Sequence, residues 1–191
     1  MSMKKVLILC IILVFPFMPA FGQKAYKIGD LYEQGQTRGI VYYVDRSGQH
    51  GKIVSIDEFF GSWCSKEYQE VLIGATDNRD GLKNIGVIQS IPNWREKFSL
   101  FSQCINLGRG WYVPSKEELI QVGKQFKKIN YTLSMYGYKI LTGNYYSSTE
   151  VNEYSVWNVW MNGNGSSMDC YEVYKDSRIG GVCKFRAIRS F

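Results

Sequence analysis

The sequence predicts an α+β domain. Three observations carry that expectation: an alternating apolar hairpin near the start, a capped amphipathic helix in the middle, and four aromatic, β-branched runs near the end.

The first 22 residues, MSMKKVLILCIILVFPFMPAFG, place Lys4 and Lys5 ahead of an apolar run from Val6 to Phe15. Pro16, Pro19 and the small-residue ending Ala20-Phe21-Gly22 follow. This is the pattern of a secretory signal peptide cut before Gln23. The run is shorter than the roughly 20 residues that span a bilayer, and no later stretch qualifies as transmembrane. Cys10 arrives before an adequate apolar segment is complete, which argues against a lipidation site. The expected organisation is a signal at 1–22, an N-terminal extension at 23–38 and one domain at 39–191.

Within the domain, Ile40, Tyr42 and Val44 alternate with Val41, Tyr43 and Asp45, as a strand requires. RSGQHG supplies turn residues, and Lys52 to Ile56 is the returning strand. From Asp57 to Asn106 the strand signal fades. GATDNRDGLKN reads as a loop, while NIGVIQSI and REKFSLFSQCI have short helical spacing interrupted at Pro92.

In GWYVPSKEEL, residues 110–119, Trp111 to Val113 form a buried strand end. Ser115 followed by Glu118 is a capping box, in which the hydroxyl and the carboxylate each accept a backbone N–H. Leu119, Val122, Phe126 and Ile129 continue one apolar stripe, with Lys116, Lys124, Lys127 and Lys128 largely off it. Ser115 therefore caps a helix. A nucleophile would need a base, and His50, the single histidine, lies in a Gly-flanked turn with no G-x-S-x-G elbow anywhere in the chain.

YYSSTE, YSVWNVWM, SMDCYEVY and VCKFRAIRSF, separated by NGNGSS and DSRIGG, read as a small antiparallel sheet. Trp157 and Trp160 differ by an odd number and point to opposite faces of one strand. Either is a candidate for stacking on a sugar, with Tyr154 and Tyr171 nearby and Asn162, Asn164 and Ser166 in the adjoining turn, set against ordinary packing and turn roles.

Without the signal, the net charge falls from +6 to about +4. The surplus favours an acidic polysaccharide or cell surface over nucleic acid, for which no motif is present. Lys124, Lys127 and Lys128 are the candidate patch, against the alternative of a solvated helix face. Thr76 to Gly81, TDNRDG, resembles a calcium loop, but Thr76 and Val87 occupy the end-ligand positions of an EF-hand. Asp77, Asn78 and Asp80 stay as weak calcium candidates beside an Asx-turn reading, and no cofactor is expected.

Four cysteines follow the signal, which in an oxidising compartment argues for two disulfides with three connectivities. DCYEVYKDSRIGGVC reads as two strands about Gly180-Gly181 and favours Cys170 with Cys183, leaving Cys64 with Cys104. No C-x-x-C is present, so zinc is a poor alternative.

GWYVPSKEEL, then YYSSTE, an aromatic VWNVW strand and a terminal FRAIRSF, with DGLKN and Cys104 upstream, resemble the Lcl C-terminal-like family of exported bacterial proteins. Typical members read G-W-[YR]-L-P-S-x-x-E-L, then Y-W-S-S-T-E, then A-W, then V-R-x-V-R-x-F. The likeness covers about Gly39 to Phe191, with Tyr146 where tryptophan is common. It implies a C-type-lectin-like mixed domain with paired first and last strands, flanking helices and a small antiparallel sheet. It also implies a non-catalytic binding or adhesion role toward a glycan or another surface component. No Glu-Pro-Asn, Gln-Pro-Asp or Trp-Asn-Asp triplet supports a calcium-dependent sugar site. Two alternatives stand beside that role: a structural subunit of a surface assembly, and an enzyme related to the formylglycine-generating fold, which uses a cysteine pair. The expected location is secreted, periplasmic or at the cell surface.

Overall fold

A computed structural model describes residues 24–162, 168–176 and 184–191. The expected signal peptide, Asn164, Ser166 and Cys183 lie outside these residues. The described residues build two sheets and five α-helices. The first sheet holds β1 (Leu31–Gln34), β2 (Thr37–Val44), β3 (Gly51–Ser55) and β9 (Ile188–Ser190), in the order β1-β2-β3-β9. The second holds β4 (Phe59–Phe60), β5 (Gly143–Glu150), β6 (Ser155–Met161), β7 (Met168–Tyr174) and β8 (Lys184–Phe185), in the order β4-β8-β5-β6-β7. The α+β class is as expected.

The β2–β3 hairpin closes on Asp45, whose Oδ1 accepts from the N–H groups of Ser47 and Gly48, both at 3.0 Å. The simple alternation expected of β2 is broken by a bulge between Val41 and Tyr43. Ile40, Val41 and Tyr42 are consequently all buried, while Tyr43 is exposed. β1, inside the segment ahead of residue 39, pairs with β2. Tyr26 and Tyr32 pack their rings on Phe191, with centroids 5.4 and 4.5 Å away. The last strand does join the N-terminal sheet, but through β3: β1 and β9 occupy opposite edges, so the first and last strands do not pair directly.

The middle of the chain is helical. Asp80 ends the loop read from GATDNRDGLKN and caps α1 (Gly81–Gln89), accepting from the N–H groups of Leu82 and Lys83 at 2.9 and 3.3 Å. The helix thus begins inside that segment. Asn93, after Pro92, has φ 58° and turns the chain into α2 (Trp94–Lys97) and α3 (Ser99–Asn106).

The stripe from Leu119 to Ile129 is buried, but it spans two helices. α4 (Lys116–Lys124) and α5 (Phe126–Met135) are divided at Gln125, whose φ and ψ of −105° and 5° are not helical. Gly123 precedes the break, and a side chain there would run into Met168 of β7. Leu133 extends the stripe, and with Trp63, Phe98, Phe101, Tyr145 and Phe185 it belongs to a single core cluster.

The expected Cys64–Cys104 disulfide is not formed in this structure, where both are buried free thiols. Cys104 is fully buried on α3, where burial alone pushes its pKa up. Cys64 follows β4 and faces Lys175, Glu150 and Asp176; its pKa is pushed up to about 12, chiefly by burial. Cys170 is also free among the described residues, and its expected partner Cys183 lies outside them.

In the folded protein at pH 8, Cys64 and Cys104 are expected to resist iodoacetamide and to react only after denaturation, since the thiolate is the nucleophile. Peptide mapping under non-reducing conditions reads this directly. A cross-linked Cys64–Cys104 peptide contradicts the arrangement.

Candidate functional site

The GWYVPSKEEL segment is a structural joint. Tyr112 bridges Ile188 through paired backbone hydrogen bonds of 3.0 and 2.9 Å, tying the motif to β9. Ser115 is fully buried, and its Oγ accepts from the Glu118 N–H at 3.4 Å. Glu118 Oε2 accepts in return from the Ser115 N–H at 3.0 Å and from the Gly81 N–H at 3.1 Å. Its Oε1 accepts from the Tyr112 hydroxyl and from Lys52 Nζ of β3, both at 2.7 Å. Gly81 is needed here because a Cβ would lie 2.6 Å from the Val113 carbonyl oxygen and 2.9 Å from Glu118 Oε2. Burial and the neighbouring carboxylate hold the Tyr112 hydroxyl well above its ordinary pKa.

The loop before α1 spends its carboxylates locally. Asp77 Oδ1 accepts from the N–H groups of Arg79 and Asp80 at 2.8 and 2.9 Å, and Oδ2 pairs with Lys83 at 3.1 Å. Asp80 is the helix cap, and the Asn78 carbonyl accepts from the Glu117 N–H. Asn84, buried beneath the loop, donates to the Asp77 carbonyl at 2.8 Å and to Ser148 Oγ at 3.1 Å. Among the described residues no group of three His, Cys, Asp or Glu side chains is gathered as metal ligands would be.

Two further carboxylates are buried. Glu150 pairs with Lys175 at 2.6 Å, with both side chains fully enclosed, and it accepts from the N–H groups of Ile73, Gly74 and Ala75. Lys175 Nζ also donates to the Val71 carbonyl. Glu58 sits among Lys139, Lys184 and Arg186, and accepts from the Tyr145 hydroxyl at 2.5 Å. Burial pushes its pKa up, but the hydrogen bonds and three cations outweigh that and leave it lowered. Neither cluster was visible in the sequence, because each carboxylate's partners lie more than 20 residues from it.

The candidate ligand residues lie elsewhere. Trp157 and Trp160 are both half-buried and, as expected, stand on opposite faces of β6. Lys116 Nζ of α4 sits 3.3 Å from the Trp157 ring centroid, so that face is partly occupied. Across the sheet from Trp160, the Tyr171 hydroxyl hydrogen-bonds Asn144 Oδ1. Asn162 follows β6 and is half-buried. Lys127 and Lys128 line a cleft of about 390 Å³ with Gly29, Asp30 and Tyr131; Lys124 is exposed on α4 and is not part of its lining. Tyr131, Met135 and Tyr136 leave α5 with an exposed aromatic and thioether surface.

β7 is the edge of its sheet among the described residues, and most of its residues are exposed. Sequence reasoning singled out Tyr154 and Tyr171 but missed Glu172 and Tyr174. The signal was present in MDCYEVY, which puts polar or charged groups on both faces, as an edge strand does.

No family model matches the chain, and no curated protein does. Among solved structures it is similar to a fimbrial protein from Bacteroides ovatus ATCC 8483, with a TM-score of 0.63 and 17% identity over 86% of this chain. This chain spans 49% of the length of that one. At that identity the likeness is one of fold. No helix among the described residues is long and apolar enough to cross a membrane.

Glu118→Ala is expected to destabilise the fold by about 3–5 kcal/mol, because it strands Lys52 and several buried donors. Ser115→Ala, which removes only one cap acceptor, should cost about 1 kcal/mol. Urea unfolding of the two variants measures the difference, and equal losses would remove Glu118 from its central role.

Proposed function

We propose that the chain is a non-catalytic subunit of an exported surface assembly. The observation that carries this reading is the fold it shares, over 86% of its length, with a protein described as fimbrial. The signal-like start, the exposed β7 edge and the tyrosines along it support the same reading, since an assembly needs free edges and aromatic contact area. The non-catalytic part is supported by how the polar groups are spent. Ser115 is a cap, and the buried carboxylates of Glu58, Glu118 and Glu150 hold cations and backbone N–H groups.

In this reading the chain stands with the Lcl C-terminal-like proteins. Support comes from the placement of the motifs: GWYVPSKEEL joins α4 to β9, YYSSTE lies on β5, VWNVW on β6, and FRAIRSF on β8 and β9.

Surface shaving with protease and immunogold microscopy of cells making the full chain should place it outside the cell in high-mass species. A monomer confined to the cytoplasm contradicts the reading.

A second reading, adhesion to an acidic glycan, is favoured by one observation: Lys127 and Lys128 flank an exposed tyrosine at a cleft. On a heparin column, replacing Lys124, Lys127 and Lys128 by Ala should move elution to lower salt. Unchanged elution removes the glycan role for this face.

A further inference from the structure

The β6–β7 ribbon ends in a cleft of about 300 Å³ lined by Asn152, Tyr154, Ser155, Glu172, Val173 and Tyr174. Antiparallel register places Tyr174 opposite Ser155 and Glu172 opposite Trp157, so Glu172 and Tyr174 stand on the same face, two residues apart. Asn152 Oδ1 accepts from the N–H groups of Tyr154 and Ser155, both at 2.9 Å, which fixes the turn that presents Tyr154. Both tyrosines are about half exposed, at 48% and 51%.

The carboxylate of Glu172 is the acidic member of the lining. It accepts one hydrogen bond, from Ser155 Oγ at 3.2 Å, and no Lys or Arg of the described residues lies within ion-pairing distance of it. Glu33, Glu67 and Glu117 are paired with Arg38, Lys97 and Arg79, whereas Glu172, like Glu70, Glu96 and Glu153, is in no ion pair among the described residues. Glu172 thus combines a carboxylate outside any ion pair with two aromatic rings that line the same cleft. A carboxylate beside aromatic faces attracts a cation through both charge and ring quadrupole, and it repels phosphate, sulfate or another carboxylate. The same face already uses this chemistry internally, where Lys116 stacks on Trp157.

The cleft opens beside β7, whose outer edge is unpaired among the described residues. An extended peptide can run along such an edge, with main-chain hydrogen bonds giving affinity and alternate side chains giving specificity. We propose that this cleft receives a basic side chain, arginine above all, from an extended segment of a partner protein that adds to β7. Arginine fits best because its planar guanidinium both stacks on tyrosine and forks onto a carboxylate. The inference rests on the assembly reading only in assigning the cation to another protein chain.

The test uses the chain without its signal and a fluorescent seven-residue peptide of alternating threonine and valine with arginine at its centre. The same peptide with lysine or glutamine at the centre provides the comparison, and anisotropy reads the binding. Arginine is expected to bind at least about tenfold more tightly than glutamine, with lysine between them. Glu172→Gln should abolish most of that preference while leaving the glutamine peptide unchanged. Tyr154→Ser with Tyr174→Ser should weaken the arginine peptide in the same way, which keeps the test available if either variant fails to fold. Equal affinity for the arginine and glutamine peptides overturns the proposal, and so does an arginine preference that survives both sets of substitutions. Discrimination by a chain that never reaches a surface assembly would keep the cleft and sink the assembly reading. Assembly without discrimination would do the reverse.

Discussion

The fold depends on the carboxylate of Glu118. Its two oxygens collect the start of α4, the start of α1, the Tyr112 hydroxyl and the ammonium of Lys52 from β3. A charge at this depth is costly unless its acceptor capacity is filled, and here it is filled by four donors from three separate parts of the chain. Tyr112 in turn bridges β9, so one side chain couples the N-terminal hairpin, both helix starts and the last strand. The requirement is strict enough to specify a glycine at position 81, where any Cβ would meet the Val113 carbonyl and the carboxylate itself.

Two other buried charge groups do comparable work on the second sheet. Glu150 gathers the backbone of residues 73–75 and the ammonium of Lys175, which fastens a long irregular segment to β5. Glu58 draws together Lys139, Tyr145, Lys184 and Arg186, while Arg186 also donates to the carbonyls of Ser55, Ile56 and Lys139. Irregular backbone needs such partners, because a buried loop cannot satisfy its own polar groups. The interior is thus organised by three anions, each joining segments far apart in sequence.

That use of polar chemistry shapes the functional reading. The interior carboxylates are committed to scaffolding, and the surface carries tyrosines and Glu172 along the β6–β7 ribbon, and lysines and tyrosine on α5. A rigid core with aromatic, charged edges suits a module that binds other macromolecules through its rim. The fold itself is shared with a fimbrial protein, of whose length this chain spans 49%.

Local chemistry wrote several features plainly into the chain. The Ser115–Glu118 box, the apolar stripe from Leu119 to Ile129, the β2–β3 hairpin and the opposed tryptophans of β6 all follow from spacing of a few residues, where periodicity and capping are decisive. Features that depend on distant partners were not legible. Counting cysteines suggested a Cys64–Cys104 bond, but their placement gives two buried thiols in different surroundings. The two termini were expected to pair directly, whereas the chain routes β9 to β3 and leaves β1 on the far edge. For Asp77 and Asp80 the Asx-turn reading stood beside a weak calcium one, and the partners include local N–H groups and, for Asp77, the more distant Lys83. The Glu172 cleft needed β6 and β7 in register before a lone acid and two separated tyrosines became neighbours. Short-range hydrogen bonding can be read from a string of residues. Which distant side chain fills the remaining lone pairs of a buried carboxylate is settled by packing in three dimensions.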